Sequence, residues 1–221
     1  GQKELYVCRL VDVTKGKFEV SENLLKAHPR YRFLNDFYFV DKNTLLIGTK
    51  EGLYYADFVR NDQQKWPTIQ SINTIPFFSN YDITRLKKIQ NIYWIGTRNG
   101  LFKATLEGTR MHIIRRFDST VNNFNNKYTL SVKTIFEDDT GSIWIGSTTE
   151  GLSKYLPETE NFINYPYNPN DQLGLSSKQV NVVVQDNFKV LWIGTAQGGI
   201  NKLDLLQKKF ITYSNNLYNQ Y

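Results

Sequence analysis

The residues best placed to do chemistry are few and scattered. Carboxylates gather at Glu137, Asp138 and Asp139, with Asp186 further along. Glycoside hydrolysis needs two carboxylates at a set separation, one to protonate the leaving oxygen and one to attack or to activate water, or else a Tyr nucleophile with arginines to hold an acidic substrate. Here the acidic residues lie in polar stretches between apolar runs, which reads as turn chemistry, and no second group converges on them. The single Cys8 excludes an internal disulfide. With His28 and His112 as the only histidines, the chain offers no Cys/His metal cluster, and no cofactor is expected. Donors suited to hydroxyls, sulfates or carboxylates stand instead at Lys50, Arg98, Asn99, Thr148 and Gln197. Each follows closely on a recurring Ile-Gly-(Thr/Ser) tripeptide, so the elements that carry that tripeptide must position them.

The tripeptide occurs as Leu46-Ile47-Gly48-Thr49, Trp94-Ile95-Gly96-Thr97, Trp144-Ile145-Gly146-Ser147 and Trp192-Ile193-Gly194-Thr195. Successive glycines are 48, 50 and 48 residues apart, a fixed period in the range of propeller or solenoid units. A second glycine follows each time, at Gly52-Leu53, Gly100-Leu101, Gly151-Leu152 and Gly199-Ile200, so two apolar runs meet in a hairpin. Upstream lies another apolar run, Leu130 to Phe136 in the third copy and Val180 to Val184 in the fourth. Turn residues separate these from the Trp at Glu137 to Ser142 and at Asp186 to Lys189. Downstream, Asn161 to Tyr165 and Lys209 to Tyr213 alternate with the period of a strand. The unit therefore holds four strands, A to D, and reads as a β-propeller blade with a Trp and a Gly fixed in strand B. Blades cover one another's faces, so Trp94, Trp144 and Trp192 are expected to be buried at equivalent positions.

The predicted fold is all-β: four complete blades at 33–80, 81–128, 129–176 and 177–221, preceded by a half blade over 1–32. The half blade supplies strand C at Leu5-Tyr6-Val7-Cys8 and strand D at Lys17-Phe18-Glu19-Val20. Its strands A and B are missing, and the residues after Ser214 are too few to supply them. The chain is therefore expected to be one segment of a larger propeller. The D-to-A connections (Ser21 to Asn35, Pro76 to Asp82, Asp118 to Tyr128, Pro166 to Ser177) are long and individual. They share a face with the B–C turns, where Lys50-Glu51, Arg98-Asn99, Thr148-Thr149 and Ala196-Gln197 vary while the surrounding glycines recur. Variation there is where specificity can reside.

Composition agrees with a β-rich chain that has ample core: 221 residues, 40% hydrophobic and 14% aromatic. No run is long and apolar enough to suggest a membrane helix, and the N-terminus lacks the layout of a signal peptide, so a targeting segment is expected outside this stretch. The net charge of +6 is spread over pairs in different repeats, such as Lys87-Lys88, Arg115-Arg116 and Lys208-Lys209. That distribution suits solvated sheet edges and argues against nucleic-acid binding.

The pattern Asp-x-x-Gly-x-x-Trp-Ile-Gly-(Ser/Thr), present from Asp138 to Ser147, resembles the two-component regulator propeller repeat. So does its continuation through Gly151-Leu152-Ser153-Lys154-Tyr155, Phe162, Tyr165, Asn168-Pro169-Asn170 and Leu175-Ser176-Ser177 into Val180. The likeness is weaker in the first repeat, where Leu46 replaces the Trp, and at Asn91-Ile92-Tyr93, where the Asp-x-x-Gly turn is absent. The resemblance implies the periplasmic sensor part of a hybrid two-component signalling protein that controls polysaccharide use. Its propeller would be seven-bladed, and its membrane helix, histidine kinase and DNA-binding regulator would lie elsewhere in the parent chain. It also implies an oligosaccharide ligand, with the rest of the parent protein and a second copy of the chain as partners.

Two other classes stay open. Asp139 to Trp144 superficially resembles the Asp-box turn of glycan-cleaving propellers, although that turn is structural. A propeller can also serve purely as a scaffold for protein contacts. Phe77-Phe78, Tyr165 to Tyr167 and Tyr218 to Tyr221 are readable as sugar-stacking platforms, dimer contacts or loop anchors.

Overall fold

Alternating apolar residues punctuated by Asp, Asn and Gly turns give strands and tight hairpins throughout. The computed structural model describes residues 8–12, 17–20, 33–59, 67–118, 130–171, 173–205 and 209–213. A two-stranded hairpin joins β1 (Cys8–Asp12) to β2 (Lys17–Val20). Leu5 to Val7 of the expected strand lie outside the described residues, and the strand described there begins at Cys8. Four antiparallel four-stranded sheets follow, each with its strands side by side in chain order. The first holds β3 (Leu34–Phe39), β4 (Thr44–Thr49), β5 (Gly52–Val59) and β6 (Thr68–Thr74); the second holds β7 (Ile83–Ile89), β8 (Ile92–Thr97), β9 (Gly100–Glu107) and β10 (Arg110–Phe117). The third holds β11 (Val132–Glu137), β12 (Ile143–Ser147), β13 (Leu152–Leu156) and β14 (Asn161–Tyr165); the fourth holds β15 (Val180–Gln185), β16 (Leu191–Thr195), β17 (Ile200–Asp204) and β18 (Lys209–Tyr213). Among the described residues the only helical element is a 3-10 turn at Pro76–Phe78. This is the propeller-blade architecture expected from the repeat.

The chain divides into two compact units, residues 1–84 with 108–110 and residues 85–107 with 111–221. In the second unit the third sheet is buried on both faces. One face brings Ile135, Ile143, Ile145 and Tyr155 against Ile89, Trp94, Leu101 and Phe117 of the second sheet. The other sets Trp144 and Leu152 against Val180, Val183, Leu191, Ile193, Leu203 and Phe210 of the fourth.

The strand-B glycine explains how adjacent sheets approach so closely. A methyl group added at Gly146 would lie 2.6 Å from Val180 Cγ1 and 2.6 Å from Thr134 Cγ2, and one at Gly96 would lie 2.6 Å from Val132 Cγ1. Each glycine is thus a socket for the β-branched residue that opens or closely precedes strand A of the next sheet.

Trp94 and Trp144 are buried, at 2% and 0% exposure. Trp192 occupies the equivalent place in β16, yet it is only half-buried. The expectation of three buried Trp residues is corrected on this point, because no described sheet covers that face of the fourth sheet. Val182, Val184, Ile200, Ile211 and Tyr213 share the face by cross-strand register with Trp192 and Gly194, and each is 46–53% exposed.

Candidate functional site

At one end of every sheet the B–C turn is stapled by the hydroxyl that closes strand B. Thr49 Oγ1 donates to the Gly52 carbonyl at 3.1 Å, Thr97 Oγ1 to Gly100 at 2.9 Å and Thr195 Oγ1 to Gly199 at 3.0 Å. The same atom then accepts from the turn: Glu51 N–H reaches Thr49 Oγ1 at 3.0 Å and Asn99 N–H reaches Thr97 Oγ1 at 3.1 Å. Ser147 Oγ accepts from Glu150 N–H at 2.6 Å. Other turn N–H groups reach carbonyls outside the turn, Lys50 to Phe33, Thr148 to Ser131 and Ala196 to Gln179, so the turn backbone is bonded from within and from the segment before strand A.

Lys50 is exposed, with its ammonium 5.2 Å from the centre of the Phe33 ring, and belongs to the first unit. Arg98 and Asn99 are exposed at the β8–β9 turn, and Gln197 is exposed at the β16–β17 turn with φ 66°. Thr148 differs. It is half-buried and its hydroxyl lies on Ser131, 3.4 Å from the carbonyl and 3.3 Å from Oγ, so that side chain is engaged in holding β11 to the turn. Phe78 is fully buried and acts as a loop anchor, whereas the half-exposed Phe77 stacks on Tyr81 at 5.9 Å. Tyr165 packs against Trp144 and Phe210 within the core, and Tyr167 is 41% exposed. Tyr218 to Tyr221 lie outside the described residues.

The A–B turns at the opposite end of the sheets account for the carboxylates. Asp138 is 3% exposed. Its Oδ1 accepts from Thr140 N–H at 2.9 Å, Thr140 Oγ1 at 2.6 Å and Ser142 N–H at 2.9 Å, and its Oδ2 from the Trp144 indole at 2.8 Å. Burial pushes the Asp138 carboxyl up, but the bonds from Thr140, Trp144 and Ser142 outweigh it and hold the group below its ordinary range. Asp186 repeats the arrangement with Phe188 and Val190 N–H and with the Trp192 indole at 2.7 Å; the indole bond does most to lower its pKa. Asp139 pairs with Lys189 and with the Gln185 side chain, which donates at 2.7 Å and also accepts the Asp139 N–H at 2.8 Å, and it too is lowered, chiefly by Lys189. A general acid needs a raised pKa and a free lone pair on the substrate. These three carboxylates are turn caps and sheet-to-sheet stitches. Among the described residues there is no metal-binding group of three or more His, Cys, Asp or Glu.

The second sheet departs from this scheme. Its A–B turn has two residues, Gln90 and Asn91, where the third and fourth sheets have five, 138–142 and 186–190. Between the second and third sheets the missing turn leaves a cleft of about 430 Å³ lined by Gln90, Trp94, Lys103, Thr140, Ser142, Tyr155 and Glu158, among others. Lys103 Nζ donates to Tyr155 Oη at 3.3 Å and to Glu160 Oε1 at 2.9 Å, while Arg115 Nη1 pairs with Glu160 Oε2 at 3.0 Å. Burial works to lower Lys103, but Glu160 and Tyr155 prevail and raise it; Glu160 is lowered, first by the Lys103 bond. Sequence reasoning did not find this cleft, although its cause, the absent Asp-x-x-Gly turn before Ile92-Tyr93, was visible.

The sequence matches no protein-family model, and no curated protein is significantly similar to it. Solved structures do match in fold. One is described as the extracellular domain of the hybrid two component system BT3049 from B. thetaiotaomicron, with TM-score 0.58 and 20% identity over 94% of this chain and 26% of that one. Another is the corresponding domain of BT4673 from the same organism, with TM-score 0.57 and 19% identity over 81% of this chain and 22% of that one. A third is the WD40 β-propeller domain of Doa1, with TM-score 0.52 and 8% identity over 83% of this chain and 52% of that one. The chain spans about a quarter of the length of the first two. At these identities the likeness is one of fold.

Proposed function

We infer that this chain is part of the extracytoplasmic, ligand-sensing propeller of a hybrid two-component signalling protein. In this reading it lies in the periplasm, detects an oligosaccharide and thereby controls polysaccharide use. The observation that carries the reading is the Ile-Gly-(Thr/Ser) strand repeated in four successive blades, with the full Asp-x-x-Gly-x-x-Trp-Ile-Gly-Ser pattern at Asp138 to Ser147 in the third, and the fold likeness to two extracellular sensor domains supports it. In this reading the chain is not an enzyme, and the engagement of Asp138, Asp139 and Asp186 in turn and sheet-to-sheet hydrogen bonds supports that. Kinase and DNA-binding activity belong to other parts of the parent protein.

Ligand recognition is assigned first to the outward side chains of the B–C turns. In the second unit these are Arg98, Asn99 and Gln197, and Lys50 does the same service in its own unit. Thr148 contributes to the shape of its turn. The test is calorimetric titration of the chain with a panel of defined neutral and acidic oligosaccharides, repeated on Arg98→Ala, Lys50→Ala and Gln197→Ala. Because these residues are exposed, the loss is expected near the low end for a charged hydrogen bond at Arg98 and Lys50, about 1.5 kcal/mol or roughly tenfold in affinity, and about 0.5–1 kcal/mol at the uncharged Gln197. Unchanged affinity in all three variants removes the ligand from the B–C turns.

A second reading, in which the propeller makes protein contacts, is favoured by the apolar face of the fourth sheet. It predicts that Val184→Lys abolishes self-association in sedimentation, with ligand affinity intact.

A further inference from the structure

Three strand-B Trp residues stand opposite a lysine across the sheet: Trp94 with Lys103, Trp144 with Lys154 and Trp192 with Lys202. In two of the three the indole N–H is received by a carboxylate, Asp138 at 2.8 Å and Asp186 at 2.7 Å. The second sheet keeps the Trp and the Lys and lacks the acid, since Gln90 and Asn91 form its entire turn. Trp94 is 2% exposed, its N–H has no acceptor among the described residues, and its ring lines the 430 Å³ cleft that the short turn leaves open. The Trp94 N–H is not sealed off from solvent, and in the sister repeats the corresponding N–H is taken by a carboxylate oxygen.

We propose that this cleft binds a saccharide carboxylate, which takes on Trp94 the place that Asp138 and Asp186 take on Trp144 and Trp192. The proposal rests on the saccharide-sensing reading for the body of the ligand and on the cleft geometry for its acid group. The volume lies within the range of small-molecule sites and suits a uronate or a chain end bearing one. Tyr155, 4% exposed and edge-on to Trp94 at 4.9 Å between ring centres, forms the back wall. Ser142 Oγ, 3.0 Å from Thr140 Oγ1, offers a hydroxyl at the rim. Among the charged residues that line the cleft, Lys103 and Lys154 outnumber Glu158. Lys103 remains bound to Glu160, so the ligand acid gains from the field of that cluster and from the indole N–H, and the ion pair stays closed.

The test titrates the 221-residue chain with D-glucuronate and D-galacturonate, with glucose and galactose as uncharged counterparts and acetate as a bare carboxylate. Two variants accompany it. Trp94→Phe removes the donor and keeps the ring. The second replaces Gln90 and Asn91 by the five residues found at 138–142, which supplies the missing Asp within the chain and fills the cleft. The uronates are expected to bind the parent chain, at least about tenfold more weakly to Trp94→Phe, and not at all to the filled variant. The filled variant retains the cap found in two other repeats, so it reports even if Trp94→Phe fails to fold. Uronate binding equal in the parent and filled chains overturns the cleft site while saccharide sensing stands, as does binding of the neutral sugars alone. Acetate and uronates binding alike, with loss in both variants, establishes the carboxylate site and overturns the saccharide reading. No binding by any of the five overturns the proposal.

Discussion

Replacing Asp138 by Ala should cost the protein about 3 kcal/mol. The carboxylate serves four donors, and their surroundings decide what each loss is worth. Thr140 is exposed, so its hydroxyl and N–H turn to water when the acceptor goes. Ser142 N–H is half-exposed and recovers part of its bond in the same way. Trp144 is 0% exposed, and its indole N–H is left dry. A buried donor orphaned in this way costs about 1–3 kcal/mol, and each lost backbone bond about 0.5–1.5 kcal/mol. Relief of the desolvation that the buried carboxylate suffers subtracts from the total, which brings the net to about 3 kcal/mol. The measurement is urea unfolding followed by far-ultraviolet circular dichroism, with an unchanged slope required for the comparison. At this chain length the loss corresponds to roughly 6–12 °C in Tm. Coupling between Asp138→Ala and Trp144→Phe should be at least about 1 kcal/mol, since the second change removes the donor that the first one orphans. A single-variant loss below about 1 kcal/mol, or zero coupling, refutes the reasoning. The pH dependence has a fixed sign. The folded pKa of Asp138 lies below its unfolded value, so the stabilisation is fully present above about pH 3.9 and disappears as pH falls through the folded pKa. Acid should therefore destabilise the parent chain more steeply than Asp138→Ala.

Gly146→Ala places a methyl 2.6 Å from both Thr134 and Val180, and overpacking of that kind costs about 1–3 kcal/mol; Val180→Ala in the same chain should restore part of the loss in the same urea assay. Gly194→Ala meets only the exposed Val182, 2.7 Å away, which can swing aside, so its cost should stay below about 1 kcal/mol, and equal losses at the two glycines would contradict the socket account. Glu160→Gln deprives Lys103 and Arg115 of their shared carboxylate at a partly exposed site. It should lower stability by at most about 1 kcal/mol, more at low salt than at high, and no salt dependence would remove the ion pair from the account.

Strand positions were legible wherever the chain wrote its own boundaries. Asn161–Tyr165 and Lys209–Tyr213 alternate apolar and polar residues after polar turns, and both are strands over those spans. The Asp138 and Asp186 turns were legible as turns because a short acidic side chain can bond the backbone N–H groups just ahead of it. What escaped depends on neighbours far along the chain. Trp144 and Trp192 share the local Trp-Ile-Gly sequence and an Asp six residues before, and the presence of a sheet opposite decides which one is dry. Arg98 and Thr148 hold the same place in their turns, yet Ser131 beneath Thr148 recruits its hydroxyl and leaves that turn without an outward donor. The cleft beside Trp94 is written as an omission, two residues in place of five, and an omission shows its volume only when the flanking sheets are in position.

The glycine socket has a handedness of use. Gly96 receives Val132 and Gly146 receives Val180, so the hole always belongs to the earlier sheet and the knob to the later one. Such a contact is heterologous: two sockets cannot fill each other, and a twofold axis through this surface would set hole against hole. Among the described residues Gly194 receives no knob from another sheet. Whatever seats there should enter by strand A and carry a β-branched residue at its start. Growth from this face is therefore polar, ending either in a closed ring or in an open fibre, according to whether the rotation per step divides a full turn.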